Sequence, residues 1–265
     1  MISRRSFCKK SLMVAGGLAI PFSTLELFDP RRLEAEKEAQ KKDGQNTRWV
    51  FLVDTHKCVG CGFCVKGCKT ENEVPYDANV TRTWVERYVI TKDGNTHIDS
   101  PKGARDGFED SRIDIGEGRF EDIKNEDIDK AFFVPKLCNQ CDNPPCVQVC
   151  PVGATYQTAD GVVLVDRTWC IGCGYCIMGC PYGVRFFHPV YHVAEKCNFC
   201  YHRISKGMKT ACVDACAFGA RRIGNIRDPN DPVTKIIMTE RVNVLKEEYG
   251  TTPQVFYLGL TKEVK

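Results

Sequence analysis

Four cysteines spaced C-x2-C-x2-C-x3-C and followed by proline constrain this 265-residue chain more than any other feature. Residues 169–181 read W-C-I-G-C-G-Y-C-I-M-G-C-P. In that spacing three thiolates wrap one [4Fe-4S] cluster and the fourth serves another, so the run requires a partner elsewhere in the chain. Three further quartets supply it: Cys58, Cys61, Cys64 and Cys68; Cys138, Cys141, Cys146 and Cys150; Cys197, Cys200, Cys212 and Cys216. With Cys170, Cys173, Cys176 and Cys180 of the first run, they account for sixteen of the seventeen cysteines.

The quartets repeat. H-K-C-V-G-C-G-F-C-V-K-G-C-K from His56 nearly duplicates the text around Cys170, and C-N-Q-C…C-V-Q-V-C-P-V-G-A from Cys138 matches C-N-F-C…C-V-D-A-C-A-F-G-A from Cys197. The order is therefore A, B, A′, B′, the mark of a duplicated two-cluster unit. Gly60, Gly62, Gly172 and Gly174 let the backbone curl so that its N–H groups face the sulfurs. Proline follows the last cysteine of the second and third quartets, whereas Lys69 and Ala217 stand there in the first and fourth.

Other chemistries fit less well. Structural zinc uses C-x2-C pairs, but not a third and fourth cysteine at these intervals. Cysteines crowded three residues apart make poor disulfide partners. No C-x2-C-H, G-x-G-x-x-G or P-loop occurs, which removes support for c-type haem, nicotinamide, flavin and nucleotide sites. His56, His97, His188, His192 and His202 are scattered and read as surface or packing residues. Lys57, Lys66, Lys136, Arg167, Lys196 and Arg203 flank cysteines and could offset anionic clusters, with a solvated position the default for each.

The net charge of +3 lies in residues 1–47, which carry nine Lys/Arg and six Asp/Glu; the remainder holds 28 of each sign. No basic stripe with interleaved aromatics points to nucleic acid. Ser3-Arg4-Arg5-Ser6-Phe7-Cys8-Lys9, followed by the apolar stretch 11–22, has the form of a twin-arginine export signal, and the charged residues to 47 form a tether. That route suits a protein that folds around its clusters before export, and it places the chain in the periplasm, on the outer face of the cytoplasmic membrane. The apolar stretch is shorter than the ~20 residues a membrane span needs. Cys8, inside the signal, is expected to ligate nothing.

After the leader, residues 48–54 read as a strand and 81–91 as another. Residues 91–130, with twelve Asp/Glu, seven Lys/Arg and five Gly, read as a solvated acidic loop insertion. Residues 154–166 form a hairpin around Asp160-Gly161, and 184–188 a short strand. The eleven residues between Cys200 and Cys212 have room for a turn or two of helix. Asp231-Pro232 starts a helix with Val233, Ile236, Ile237 and Val244 on one side. The tail 254–258 looks extended, packed on a neighbour.

Four quartets in these spacings resemble the iron–sulfur (beta) subunits of the dimethyl sulfoxide reductase superfamily over residues 48–260. The run from Cys138 and the tail G-T-T-P-Q-V-F-Y-L-G-L from Gly250 are most similar to tetrathionate and polysulfide reductase beta subunits, with the formate-dependent nitrite reductase iron–sulfur protein close behind. The repeat order alone permits pairing first with second and third with fourth quartet; the resemblance implies nesting instead. Carried over, Cys58, Cys61, Cys64 and Cys216 hold cluster 1, and Cys68, Cys197, Cys200 and Cys212 cluster 2. Cys138, Cys141, Cys146 and Cys180 hold cluster 3, and Cys150, Cys170, Cys173 and Cys176 cluster 4.

The implied fold is α+β, two ferredoxin-like units with short antiparallel hairpins: an outer one from 48–90 and 181–227, an inner one from 131–180. Residues 91–130 are the insertion and 228–265 a C-terminal helix and extended tail. The implied role is a non-catalytic relay with no small-molecule substrate of its own. Its partners would be a molybdopterin-containing catalytic subunit and a quinone-reactive integral membrane subunit. The same relay in a quinone-linked complex without molybdenum, facing a multihaem cytochrome, is the alternative.

Overall fold

A computed structural model describes residues 46–108, 114–115, 118–119, 123 and 125–264. The export signal, its tether and Cys8 lie outside the described residues. In chain order the strands are Trp49–Asp54 (β1), Thr83–Thr91 (β2), Thr96–Asp99 (β3), Asp114–Ile115 (β4), Gly118–Arg119 (β5) and Ile128–Leu137 (β6). They continue with Thr155–Gln157 (β7), Val163–Val165 (β8), Phe186–Phe187 (β9), Ala194–Glu195 (β10), Arg221–Asn225 (β11), Val242–Asn243 (β12) and Val255–Leu258 (β13). The helices are Phe63–Glu71 (α1), Pro145–Gln148 (α2), Tyr175–Met178 (α3), Tyr201–Ile204 (α4), Ala211–Asp214 (α5) and Pro232–Thr239 (α6). None among the described residues is long and apolar enough to cross a membrane.

β1 organises one sheet, whose strand order is β11-β1-β13-β12. Its sequence W-V-F-L-V-D is apolar without alternation because both of its faces are covered. Phe51 and Val53 enter the main core, while Val50 and Leu52 pack against Val233, Ile236 and Ile237 of α6. Asp231 caps α6 by accepting hydrogen bonds from the N–H groups of Val233 (2.7 Å) and Thr234 (3.4 Å), with Pro232 in the first turn. α6 ends at Thr239, so Val244, expected on its apolar side, lies beyond it after β12. The tail finds its neighbour within the chain: β13 runs parallel to β1, from Phe51 opposite Val255 to Asp54 opposite Leu258.

A second sheet has the order β3-β2-β6; β2 is the strand expected over 81–91, while β3 and the start of β6 lie within 91–130, which the sequence suggested as a loop. β2 pairs antiparallel with β6 from Thr83 opposite Leu137 to Thr91 opposite Ile128, and β3 adds to its other edge. The charge of Asp99 does not prevent β3 from forming, because it finds a partner on the sheet. Asp99, almost wholly buried, receives both Arg87 Nε (2.9 Å) and Nη2 (2.7 Å). The hairpin β7–β8 turns through Gly161 at φ +83°.

The duplication is visible in the packing of the cysteine helices. Gly67 of α1 lies where an added Cβ would come within 3.1 Å of Ala215 Cβ, just beyond α5. Gly179, its counterpart in the repeat, lies where an added Cβ would come within 3.3 Å of Val149 Cγ2, just beyond α2. The first quartet thus packs on the fourth and the third on the second, each through a glycine that permits close helix approach. Gly62 and Gly174 precede α1 and α3 with φ of +74° and +78°. A Cβ on Gly62 would also sit 2.1 Å from the Ala104 carbonyl oxygen. Gly62→Ala is therefore expected to cost about 2 kcal/mol or more, from left-handed strain plus the clash, read as a lower unfolding midpoint at fixed scan rate with reduced iron retention.

Candidate metal centre

All sixteen quartet cysteines are free thiols in the described structure, and they converge in groups of four drawn from different quartets. Cys58, Cys61, Cys64 and Cys216 line one cavity together with Arg221. Cys138, Cys141, Cys146 and Cys180 line a second with Arg185 and Lys196. Cys68 has Cys197, Cys212 and Cys200 as its electrostatic neighbours, and Asn72 Nδ2 lies 3.5 Å from Cys68 Sγ and 3.8 Å from Cys200 Sγ. Cys176 faces Cys170, Cys150 and Cys173. We call these groups I, III, II and IV in the order just given. Among the described residues no three Cys, His, Asp or Glu side chains close on a single-ion site.

The groups form a row. Cys64 of group I neighbours Cys212 of group II, Cys197 of group II neighbours Cys138 of group III, and Arg185 lies against both Cys146 of group III and Cys176 of group IV. Burial follows the row. Every cysteine of group II is buried, as are three of group III, whereas Cys58, Cys61 and Cys216 of group I and Cys150 and Cys170 of group IV are half-buried and Cys173 is exposed.

The thiols need a positive counter-charge to ionise. Burial pushes Cys64 up to about 11 and Cys141 up to about 12, with neighbouring cysteines adding to the rise. Cys150 moves the other way: burial opposes ionisation, but hydrogen bonds from Thr155, Val152 and Ala154 outweigh it. Further donors approach sulfur from Thr155 N to Cys150 and Ala194 N to Cys170, each 3.4 Å. Iron, when bound, would supply the missing charge, and such N–H···S contacts would tune its potential.

Buried cations complete the fit. Lys196, only 1% exposed, donates to the Val163 carbonyl and to the Cys197 carbonyl (2.9 Å) and, among the described residues, meets no carboxylate through Nζ. Arg185 is buried, its Nε and Nη1 with no oxygen or nitrogen partner among the described residues, and Arg221 is buried beside group I. Unpaired buried positive charge is costly unless an anion stands nearby, and a cluster with four thiolates is such an anion. Of the six cations flanking cysteines, Lys136 and Lys196 are buried, contrary to the solvated default, because each found polar partners inside: Lys136 Nζ meets Glu86 at 2.8 Å. Arg185, Arg221 and Asn72 escaped the sequence reading because none adjoins a cysteine. The repeat carried a signal all the same, since both arginines stand five residues after the last cysteine of a quartet.

Comparison with known proteins accords with this geometry. Residues 57–154 and again 129–226 match families described as 4Fe-4S dicluster domain. The B subunit of tetrathionate reductase from Salmonella typhimurium is 36% identical over 262 residues, covering 97% of this chain and 88% of that protein. The chain belongs to the iron–sulfur subunits of the dimethyl sulfoxide reductase superfamily. The B subunit of selenate reductase from Mesobacillus selenatarsenatis is 34% identical, covering 84% of this chain and 75% of its own length. An Hdr-like menaquinol oxidoreductase iron-sulfur subunit of Archaeoglobus fulgidus is 32% identical over 99% of this chain and 100% of its own length. Two tandem dicluster domains of mixed α+β character are thus the architecture of this member of the family.

Proposed function

We propose that this iron–sulfur electron-transfer subunit carries four [4Fe-4S] clusters, one in each of groups I to IV, and conducts electrons along the row they form. The observation that carries the reading is the burial gradient: sulfurs screened from water in the middle, accessible at both ends. A bound [4Fe-4S] cluster supplies one-electron storage; the protein's share is to space the stations, exclude water from the inner two and set their potentials. The chain is not itself a catalyst and takes no small-molecule substrate.

Both ends of the row carry exposed apolar side chains. Val59 and Phe218 rim the group I cavity, with Phe63 close by in sequence. Around group IV, Trp169 (67% exposed), Ile171, Tyr175 and Met178 (75%) flank Cys173 in sequence, and Phe187 lies against Gly174. Such rims suit protein partners at each terminus. In our reading one partner is a molybdopterin-containing catalytic subunit and the other a quinone-reactive membrane subunit, with the complex exported by the twin-arginine route to the periplasmic face of the membrane. The relatives named for tetrathionate and selenate reductases support a reductase complex of this kind. The relative named as part of a menaquinol oxidoreductase supports a quinone link, which the second reading, a quinone-linked complex without molybdenum, shares with the first.

Anaerobic purification from the native host, with metal analysis, tests the proposal: about sixteen iron atoms per chain are expected, and molybdenum in the co-purifying complex separates the first reading from the second. Iron far below that value, or none, overturns the relay. Replacing Trp169 or Met178 by glutamate is expected to weaken partner retention at least tenfold while leaving iron content intact, as for a central interface side chain; pull-down with the tagged chain reads it.

A further inference from the structure

Two arginines stand at the same distance from a quartet's last cysteine, and each lines a cavity of four cysteines. Arg185 ends C-P-Y-G-V-R and Arg221 ends C-A-F-G-A-R, each five residues after its quartet's last cysteine. The glycine between, Gly183 or Gly219, has φ +64° in both. Each side chain turns into the cavity of four cysteines beside it, Arg185 into that of group III and Arg221 into that of group I. Each is anchored by a threonine hydroxyl: Arg185 Nη2 donates to Thr155 Oγ1 at 3.0 Å, and Arg221 Nη1 to Thr83 Oγ1 at 2.8 Å.

Both are almost fully enclosed, 4% and 2% exposed, and among the described residues neither forms an ion pair with a carboxylate. Arg185 keeps Nε and Nη1 buried with no oxygen or nitrogen partner among the described residues, and Cys146 is the sulfur beside the guanidinium. The cysteines acting most strongly on each guanidinium are Cys146, Cys176 and Cys138 for Arg185, and Cys64, Cys212 and Cys58 for Arg221. Those neighbours belong to two groups in each case, III with IV and I with II. Arg82 differs, since its charge is already met by Glu195 at 2.8 Å.

We propose that Arg185 and Arg221 are matched positioning charges, each set between the two clusters of one unit to raise both of their reduction potentials. The inference rests on the four-cluster reading above. When one electron arrives from a neighbouring station, no bond forms or breaks and the cluster with its thiolates gains one negative charge. A fixed cation a few ångströms away stabilises that charge more than it stabilises the oxidised state. The guanidinium cannot escape by losing its proton, which makes arginine the fitting residue for a permanent buried charge.

The test is an EPR-monitored redox titration of the full-length chain, purified anaerobically with its partners, as wild type, Arg185→Gln, Arg221→Gln and the two lysine variants, with iron measured on each. The glutamine variants are expected to shift complementary pairs. Arg221→Gln lowers two of the four potentials by about tenfold in the reduction equilibrium, which is ~59 mV for a one-electron couple, and Arg185→Gln lowers the other two. Lysine at either site keeps the wild-type values. Full iron with unmoved potentials in the glutamine variants overturns the proposal, as does a shift spread evenly over all four. If a glutamine variant fails to retain iron, its lysine variant decides: wild-type potentials support the charge, and a tenfold fall overturns it. A wild-type chain without iron sinks the four-cluster reading instead.

Discussion

Cys197→Ala is expected to remove a whole station, taking iron from about sixteen atoms per chain to about twelve and ending electron passage between the two ends. Cys197 is buried at the junction of groups II and III, with Cys212, Cys200 and Cys138 as its neighbours. Its backbone carbonyl also anchors the middle of the molecule, accepting from Gln140 Nε2 (2.8 Å) and Lys196 Nζ. Loss of this thiolate leaves three sulfurs and a buried lysine with less negative charge to face, so the unfolding midpoint should fall with the iron, because metal binding energy is folding energy. Cys173→Ala is the contrast. Cys173 is exposed at the end of the row, and its replacement should also cost about four iron atoms while disturbing the midpoint less. Equal iron in Cys197→Ala and wild type, by analysis of anaerobic protein, contradicts the assignment.

Glu195→Ala should be the most damaging change away from the cysteines, at about 3–5 kcal/mol for a buried ion network broken from one side. Glu195 Oε2 lies 2.8 Å from both Arg82 Nη2 and Arg167 Nη2, with Glu195 and Arg82 both buried. Arg82 also donates to Asn72 Oδ1 at 2.7 Å, and Asn72 reaches the sulfurs of Cys68 and Cys200. The carboxylate therefore steadies group II through two intermediaries. Burial would raise its pKa, but Arg82, Arg167 and the Lys196 N–H hold it below the usual carboxylate range. A depressed folded value means that the unfolded chain binds the proton more readily. The stabilisation is complete above the ordinary glutamate range, near pH 4.3, and is lost as pH falls through the folded value. Thermal scans at fixed rate should show a wild-type midpoint that drops on acidification through this window, and a Glu195→Ala midpoint already low at neutral pH with a shallower drop.

Features set by local chemistry could be read from the chain alone. The hairpin at Asp160-Gly161 needs a left-handed residue, and Gly161 provides it. The cap at Asp231-Pro232 needs a short acceptor before a preorganised first turn, and both are adjacent in sequence. The apolar run of β1 announces a strand covered on two faces. Long-range pairing hid the rest. Asp99, part of an acidic stretch that suggested solvent, is buried because its partner Arg87 lies across a sheet. The tail's place beside β1 depends on residues some 200 positions away, which no local pattern reports. Arg185 and Arg221 gave no local signal, since nothing next to them in sequence is acidic or a cysteine.

By itself the sequence determined that sixteen thiols would be presented on short glycine-bearing loops in four runs, because C-x2-C spacing and left-handed glycines act within a few residues. Which thiols meet was decided by the tertiary structure. Gly67 admits Ala215 and Gly179 admits Val149, so helix packing brings the first quartet to the fourth and the second to the third. The same packing leaves the middle of the row dry and its ends open, a difference in solvent access that exists only once distant parts of the chain have closed around one another.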